Sequence, residues 1–253
     1  MWASLDRMPV IVLLRHGLSS ANTAGILAGR APGVSLTEDG VRALEDTLRM
    51  LPRSDFSRLL HSPLTRCAET AAIASRFAGF GTTEVAEDFI ELDYGDWTGR
   101  RLEDLVTTPE WETVAQRASQ MRFPGGESIA EAADRAVAGV AGLVAELRAV
   151  EEAKREAAQA SAEEAGKDGG GGDAGKDGGD LREWAMVVSH GDIIKAIIAD
   201  ALGMPLDDFQ RLSVAPGSFT VIDYTGRVPV MTAMSITAAG LSVSGVPGGG
   251  GLA

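Results

Sequence analysis

With 253 residues, the chain is long enough for one large domain or two small ones and can bury a substantial core. Its 36 acidic residues against 23 basic ones leave a net charge of −13, which argues against nucleic acid or an anionic membrane as a bulk electrostatic partner. One cysteine, Cys67, excludes an intrachain disulfide and fits a reducing compartment.

The N-terminus carries an acid at Asp6 and no long apolar core, so it does not read as a signal peptide. No apolar run approaches the roughly 20 residues needed to span a bilayer. The expected location is the cytoplasm. Val10 to Leu14 is a continuous β-branched-rich run bounded by Pro9 and Gly17, suited to a strand buried on both faces. Thr37, followed by Glu38 and Asp39, predicts a helix N-cap, with the helix running to about Leu51. A short strand over Phe56 to Leu60 leads to Ser62-Pro63 and a helix through Phe77.

Ser128 and Glu131 form a capping-box pattern after Pro124-Gly125-Gly126. Apolar residues at Ala133, Val137, Val140, Val144 and Leu147 then predict a long amphipathic helix. It runs into a Gly/Asp-rich stretch in which eight of the fourteen residues from Gly166 to Gly179 are glycine. Residues 158 to 181 read as a flexible insertion without a fold of its own. A strand ending at Ser189, the pair His190-Gly191 and a helix ending near Gly203 follow, then strands over Phe219 to Tyr224 and Val228 to Ser235. Residues 245 to 253 read as a disordered tail. The expectation is one domain spanning 1 to 253, interrupted by the insertion, with a three-layer α/β sandwich around a mostly parallel sheet.

VLLRHG and MVVSHG are the same pattern at opposite ends of the chain: a strand, then His-Gly. In an open parallel sheet, ligands bind outside the carboxyl ends of the strands, where His16 and His190 would both stand. Each alone is a histidine that could merely satisfy local hydrogen bonds; two of only three histidines in this setting point to a site.

These residues resemble the histidine phosphatase superfamily, with its phosphoglycerate-mutase-like fold. Arg15-His16-Gly17 matches its RHG signature, with Asn22 in the loop that follows, and Ser62-Pro63-Leu64-Thr65-Arg66 to Ala71 matches its S-P-L-x-R helix start. Glu91 to Gly99 matches its acidic strand-end segment, Pro124 to Ser128 its P-G-G-E-S turn, and Ser189 to Gly191 its late S-H-G. The motifs fall in the family's order between about residues 10 and 200.

The resemblance implies that His16 accepts the phosphoryl group and that Arg15, Arg66, His190, Gly191 and Asn22 bind it or its substrate. It implies that Glu91 protonates the leaving oxygen, although Glu87, Asp88 and Asp93 compete for that role on residue type alone. A neutral imidazole is the nucleophile such chemistry needs, and nearby Arg15 and Arg66 would disfavour its imidazolium form. Their forked donors match phosphoryl oxygens. Whether Glu91 is raised by burial against Trp97 and Tyr94 or lowered by the arginines stays open at this point.

His61 matches no motif and reads as structural. Cys67 lies in a helix without the phosphate loop of cysteine phosphatases. No spacing recommends a metal site, and no cofactor is expected. Residues 100 to 123 are expected to cover the site, with Arg30, Arg100, Arg101 and Arg122 available for further anionic groups. Phosphoglycerate mutases of this family carry an arginine after the acid glutamate, where this chain has Leu92. The expected activity is therefore hydrolysis of a small phosphate ester. A phosphomutase is the alternative, and a non-catalytic phosphate binder the outlying one. Thr98 departs from the glutamate common in the phosphatase branch, and the oligomeric state is open.

Overall fold

Among the described residues, four of the six strands run parallel, and the central ones are apolar on both faces. The computed structural model describes residues 9–167 and 182–239. In chain order the elements are β1 (Val10–Arg15), α1 (Ser20–Thr23), α2 (Glu38–Leu48), β2 (Asp55–His61), α3 (Thr65–Ala74), β3 (Gly79–Val85), α4 (Leu102–Leu105), α5 (Pro109–Gln116), α6 (Ile129–Lys167), β4 (Trp184–Ser189), α7 (Gly191–Ala201), β5 (Phe219–Asp223) and β6 (Val230–Ile236). The sheet order is β3-β2-β4-β1-β5-β6, with β5 antiparallel to both β1 and β6. The strand expected to be buried on both faces, β1, lies at the centre beside β4, paired from Val10↔Trp184 to Arg15↔Ser189.

Strand periodicity divides the core into two layers. Ile11, Leu13, Ala185 and Val187 point to one face, where α6 and α7 cover them with Val140, Leu147, Ile194 and Ile198. Val10, Val12, Leu14, Met186 and Val188 point to the other, against Leu44 and Leu48 of α2 and Ala71 and Ala74 of α3. The α/β sandwich around a mostly parallel sheet is thus present as expected.

Both expected caps form. Thr37 Oγ1 accepts from the Gly40 amide at 2.9 Å. The Glu131 amide donates to Ser128 Oγ at 3.1 Å, while Glu131 Oε2 accepts from the Ser128 amide at 2.9 Å.

The elements depart from expectation in two places. Strand β3 was not anticipated: GFGTTEV lacks an apolar alternation because the strand is an exposed sheet edge. The segment from Arg100 to Phe123, expected to cover the site, packs into the core through Leu105, Val114, Ala118 and Phe123, with Trp111 stacked on Trp97. Helix α6 continues through Lys167, so residues 158 to 167 of the expected insertion are helical. The reason is composition: KREAAQASAEEA is rich in strong helix formers, and the glycines begin only at Gly166. The remainder of that range, Asp6 and the expected tail lie outside the described residues.

Candidate active site

The two strand-end histidines converge at the carboxyl edge of β1 and β4, their ring centroids 5.3 Å apart. Parallel pairing in register makes this unavoidable: His16 and His190 each follow the last residue of adjacent, aligned strands. Both rings are buried, as are Arg15 and Arg66, each 2% exposed or less.

Hydrogen bonds assign the tautomers. His16 Nδ1 lies 2.8 Å from the Gly17 carbonyl, an acceptor only, so Nδ1 carries the proton and the Nε2 lone pair is left free. His190 Nδ1 accepts from Arg66 Nη2 at 3.1 Å, and its protonated Nε2 faces Ser62 Oγ at 2.8 Å. Both nitrogens of His190 are therefore engaged by protein groups, Arg66 on one side and Ser62 on the other. Burial holds both imidazoles well below the ordinary histidine range, with the charge of Arg66 the next cause for each. The arginines act in the expected direction on His16, but desolvation is the larger effect.

The guanidiniums are held on one side only. Arg15 Nη1 donates to the Val214 carbonyl, and Arg66 Nη2 donates to the Gly29 carbonyl at 2.9 Å as well as to His190. Arg15 Nε and Arg66 Nη1 are buried and have no acceptor among the described residues. Buried cationic donors left unmet are costly, and a pair of them beside a free imidazole lone pair forms a cradle for an anion. Gly191 opens α7 against Arg15, where a Cβ would stand 3.2 Å from the guanidinium carbon, so its lack of a side chain makes room for the clamp.

Glu91 lies beyond β3 in irregular backbone, not at a strand end. It is 8% exposed, and its Oε2 stands 3.7 Å from His190 Nδ1. Burial, reinforced by the negative charge of Asp192, pushes its carboxyl up to about 7 against the opposing pull of Arg66 and Arg15. Asp192 was not anticipated. It is buried in the first turn of α7, accepts from the Tyr94 hydroxyl at 2.9 Å, and lies 3.2 Å from Lys195 Nζ. Its place directly after His190-Gly191 was the one available signal.

The other expected residues have protein partners or face solvent. Asn22 sits in α1, where its Oδ1 accepts from the Ser19 amide at 3.1 Å and from Ser19 Oγ at 2.8 Å. Arg30 is not free for a second anion: it donates to the Glu91 carbonyl and pairs with Glu127. Arg101 and Arg122 pair with Glu103 and Glu131, while Arg100 is exposed. Cys67 is fully buried, and desolvation pushes its thiol up to about 12, which keeps it neutral. His61 bonds its own neighbour, with Nδ1 2.9 Å from the Ser62 carbonyl. No group of three or more His, Cys, Asp or Glu among the described residues is arranged to hold a metal ion, and none of their helices is long and apolar enough to cross a membrane.

A buried histidine and two half-satisfied arginines at the carboxyl edge of a mostly parallel sheet define an α/β enzyme that handles phosphate esters. The chain belongs to the histidine phosphatase superfamily (branch 1), whose model matches residues 11–152 and 174–237. The adenosylcobalamin/alpha-ribazole phosphatase of Salmonella typhimurium is 24% identical over 216 residues, covering 83% of this chain and 88% of that protein. The 2,3-bisphosphoglycerate-dependent phosphoglycerate mutase of Thermoplasma acidophilum is 27% identical, covering 91% and 95%. Among solved structures, a mycobacterial glucosyl-3-phosphoglycerate phosphatase superposes with a TM-score of 0.68 at 21% identity, covering 90% of this chain and 98% of that one. The family, the fold and the enzyme class expected from the motifs are therefore met: the chain is a histidine-phosphatase-type enzyme.

Proposed function

We propose that the protein is a cytoplasmic phosphomonoester hydrolase that works through a phosphohistidine on His16 and acts on a small phosphorylated metabolite. The observation that carries this reading is the pair of buried, unmet donors, Arg15 Nε and Arg66 Nη1, beside an imidazole whose lone pair is free.

In the first half-reaction, His16 Nε2 attacks phosphorus and the bond from phosphorus to the ester oxygen breaks. Protonated Glu91 gives its proton to the departing alkoxide, a poor leaving group without one. Charge that develops on the phosphoryl oxygens meets Arg15 and Arg66 already in place, so little reorganisation is needed. The Gly17 carbonyl accepts from Nδ1–H as the ring becomes cationic. In the second half, the Glu91 carboxylate takes a proton from water, the hydroxyl attacks phosphorus, and the P–N bond breaks to release inorganic phosphate. His190 serves by fixing Arg66, and the Asn22 amide nitrogen remains available to the substrate side.

Leu92 supports hydrolysis over mutase chemistry. It is 1% exposed and packs into the core, so the residue after the acid offers no cation to a substrate carboxylate. The test is His16→Ala in an aryl phosphate assay, with acid-labile trapping of phosphoenzyme in the wild type. Loss of both turnover and trapped phosphate is expected; undiminished hydrolysis would overturn the mechanism. Incubation with 3-phosphoglycerate should release phosphate, or nothing, and not 2-phosphoglycerate.

A further inference from the structure

Glu91 occupies backbone that no helix or strand supports, so something else must fix it. After the 3-10 turn at Glu87–Phe89, the chain runs irregularly to Tyr94. The carbonyls of this stretch are gathered instead by two arginines from distant elements. Arg135 of α6 directs Nη1 at three of them, at 3.2 Å from Glu87, 2.7 Å from Asp88 and 3.1 Å from Ile90. Arg30, from the loop after α1, donates Nε to the Glu91 carbonyl itself at 2.8 Å.

Both arginines are oriented by one carboxylate oxygen. Glu127 Oε1 accepts from Arg30 Nη2 at 2.8 Å, from Arg135 Nη2 at 3.1 Å and from the Asp93 amide at 2.9 Å. It thus holds the segment on both sides of Glu91, and Arg30 and Arg135 are themselves mostly covered, at 33% and 22% side-chain exposure. The backbone is drawn in the same way: the Glu127 amide donates to the Asp93 carbonyl at 3.0 Å. Gly126 permits that approach, since a Cβ there would fall 2.2 Å from the Asp93 oxygen. The Pro124 to Ser128 turn, which was read only as a turn and a helix cap, therefore reaches the acid of the proposed reaction.

We propose that Glu127 is a positioning residue for Glu91: its carboxylate orients Arg30 and Arg135, and these hold the backbone that aims the general acid at the leaving oxygen. The inference rests on the hydrolytic reading above, and in particular on Glu91 as the proton donor. It has a consequence that a merely stabilising contact lacks. A general acid matters in proportion to how poor the leaving group is, so displacing it should lower kcat/KM, which reports leaving-group departure, for alkyl esters and spare it for activated aryl esters.

The experiment measures kcat and KM for glycerol 2-phosphate and for 2,4-dinitrophenyl phosphate with wild type, Glu127→Gln, Glu127→Ala, Glu91→Gln and His16→Ala. Glu127→Ala is expected to lower kcat/KM on the alkyl ester by about tenfold to a hundredfold while kcat/KM on the aryl ester stays nearly unchanged; kcat on the aryl ester falls too, because the water step that Glu91 serves is common to both. Glu127→Gln keeps an acceptor carbonyl and should fall between Glu127→Ala and wild type. Glu91→Gln should show the same selectivity more strongly, and His16→Ala should lose both substrates. Equal losses of kcat/KM on the two esters in both Glu127 variants, or no loss on either, would overturn the positioning role while Glu91→Gln stays selective in kcat/KM. An unselective Glu91→Gln would instead remove the acid assignment and this inference with it.

Discussion

Two groups of the candidate site, each near His190, have opposite protonation requirements, and their surroundings push each toward the form it needs. His16 must be neutral to attack, and burial with Arg66 holds its pKa well below the ordinary value of about 6.5. It becomes protonated, and activity is lost, only as pH falls through that depressed value. Glu91 must begin protonated, and burial with Asp192 raises it to about 7, so activity falls as pH rises through that region. The expected kcat/KM profile has its basic limb near neutrality and its acidic limb well below the histidine range. Asp192→Asn removes one cause of the upward shift on Glu91 and leaves Lys195 without its nearby carboxylate. The basic limb should then move to lower pH, and a limb that stays in place would show that Asp192 does not act on Glu91. Arg15, His16, Arg66 and His190 were legible in the sequence because each stands in a short motif at an element end. Asp192, Glu127 and the engagement of His190 by Ser62 were not, because their roles depend on contacts across the fold that no local spacing encodes.

At the scale of elements, the loop carrying His16 and Gly17 is pressed against α2 with no spare room. The Thr37 amide donates to the Leu18 carbonyl at 2.9 Å, and a Cβ on Gly40 would lie 2.2 Å from that same oxygen. The Gly17 amide in turn donates to Thr70 Oγ1 of α3 at 3.1 Å, so both helices of this layer fix the histidine loop. Gly40→Ala must push α2 or the loop away, at a cost of about 1–3 kcal/mol, and should lower kcat through His16 as well. Thr37→Ala removes the cap and the hydroxyl's 3.3 Å hydrogen bond to the Leu18 carbonyl, which the Thr37 amide still holds, and should cost about 1 kcal/mol, leaving kcat near wild type. Denaturant unfolding beside kinetics separates the two, and a Gly40→Ala variant with unchanged stability and rate would refute the close packing. Elements of this kind were readable where burial is continuous, as in β1 and β4, or where a cap marks the start, as at Thr37 and Ser128. Strand β3 was not, because an exposed edge carries no apolar alternation, and α6 overran its apparent end because helix propensity outlasts the apolar stripe.

For the whole molecule, the net charge of −13 and the buried arginine pair act on an incoming phosphate ester with opposite signs and at different ranges. The arginines are covered by protein and meet the phosphoryl oxygens at contact distance, where mobile ions barely intervene. The surplus of acids is spread over the surface and repels a dianion during approach, an interaction that salt screens. Residues 151 to 183 contribute ten acids against five bases to that surplus. Raising ionic strength from about 0.01 M to about 0.1 M shortens the Debye length from about 30 Å to about 10 Å, which removes much of the repulsion and little of the contact attraction. The value of kcat/KM for a phosphate monoester should therefore rise across this interval, by less than about tenfold, while kcat stays constant because the bound state is screened by protein. Initial rates over a salt series with a single substrate decide the matter. A kcat/KM that falls as salt is added would mean that attraction from the arginine cluster extends well beyond the pocket and outweighs the surface charge.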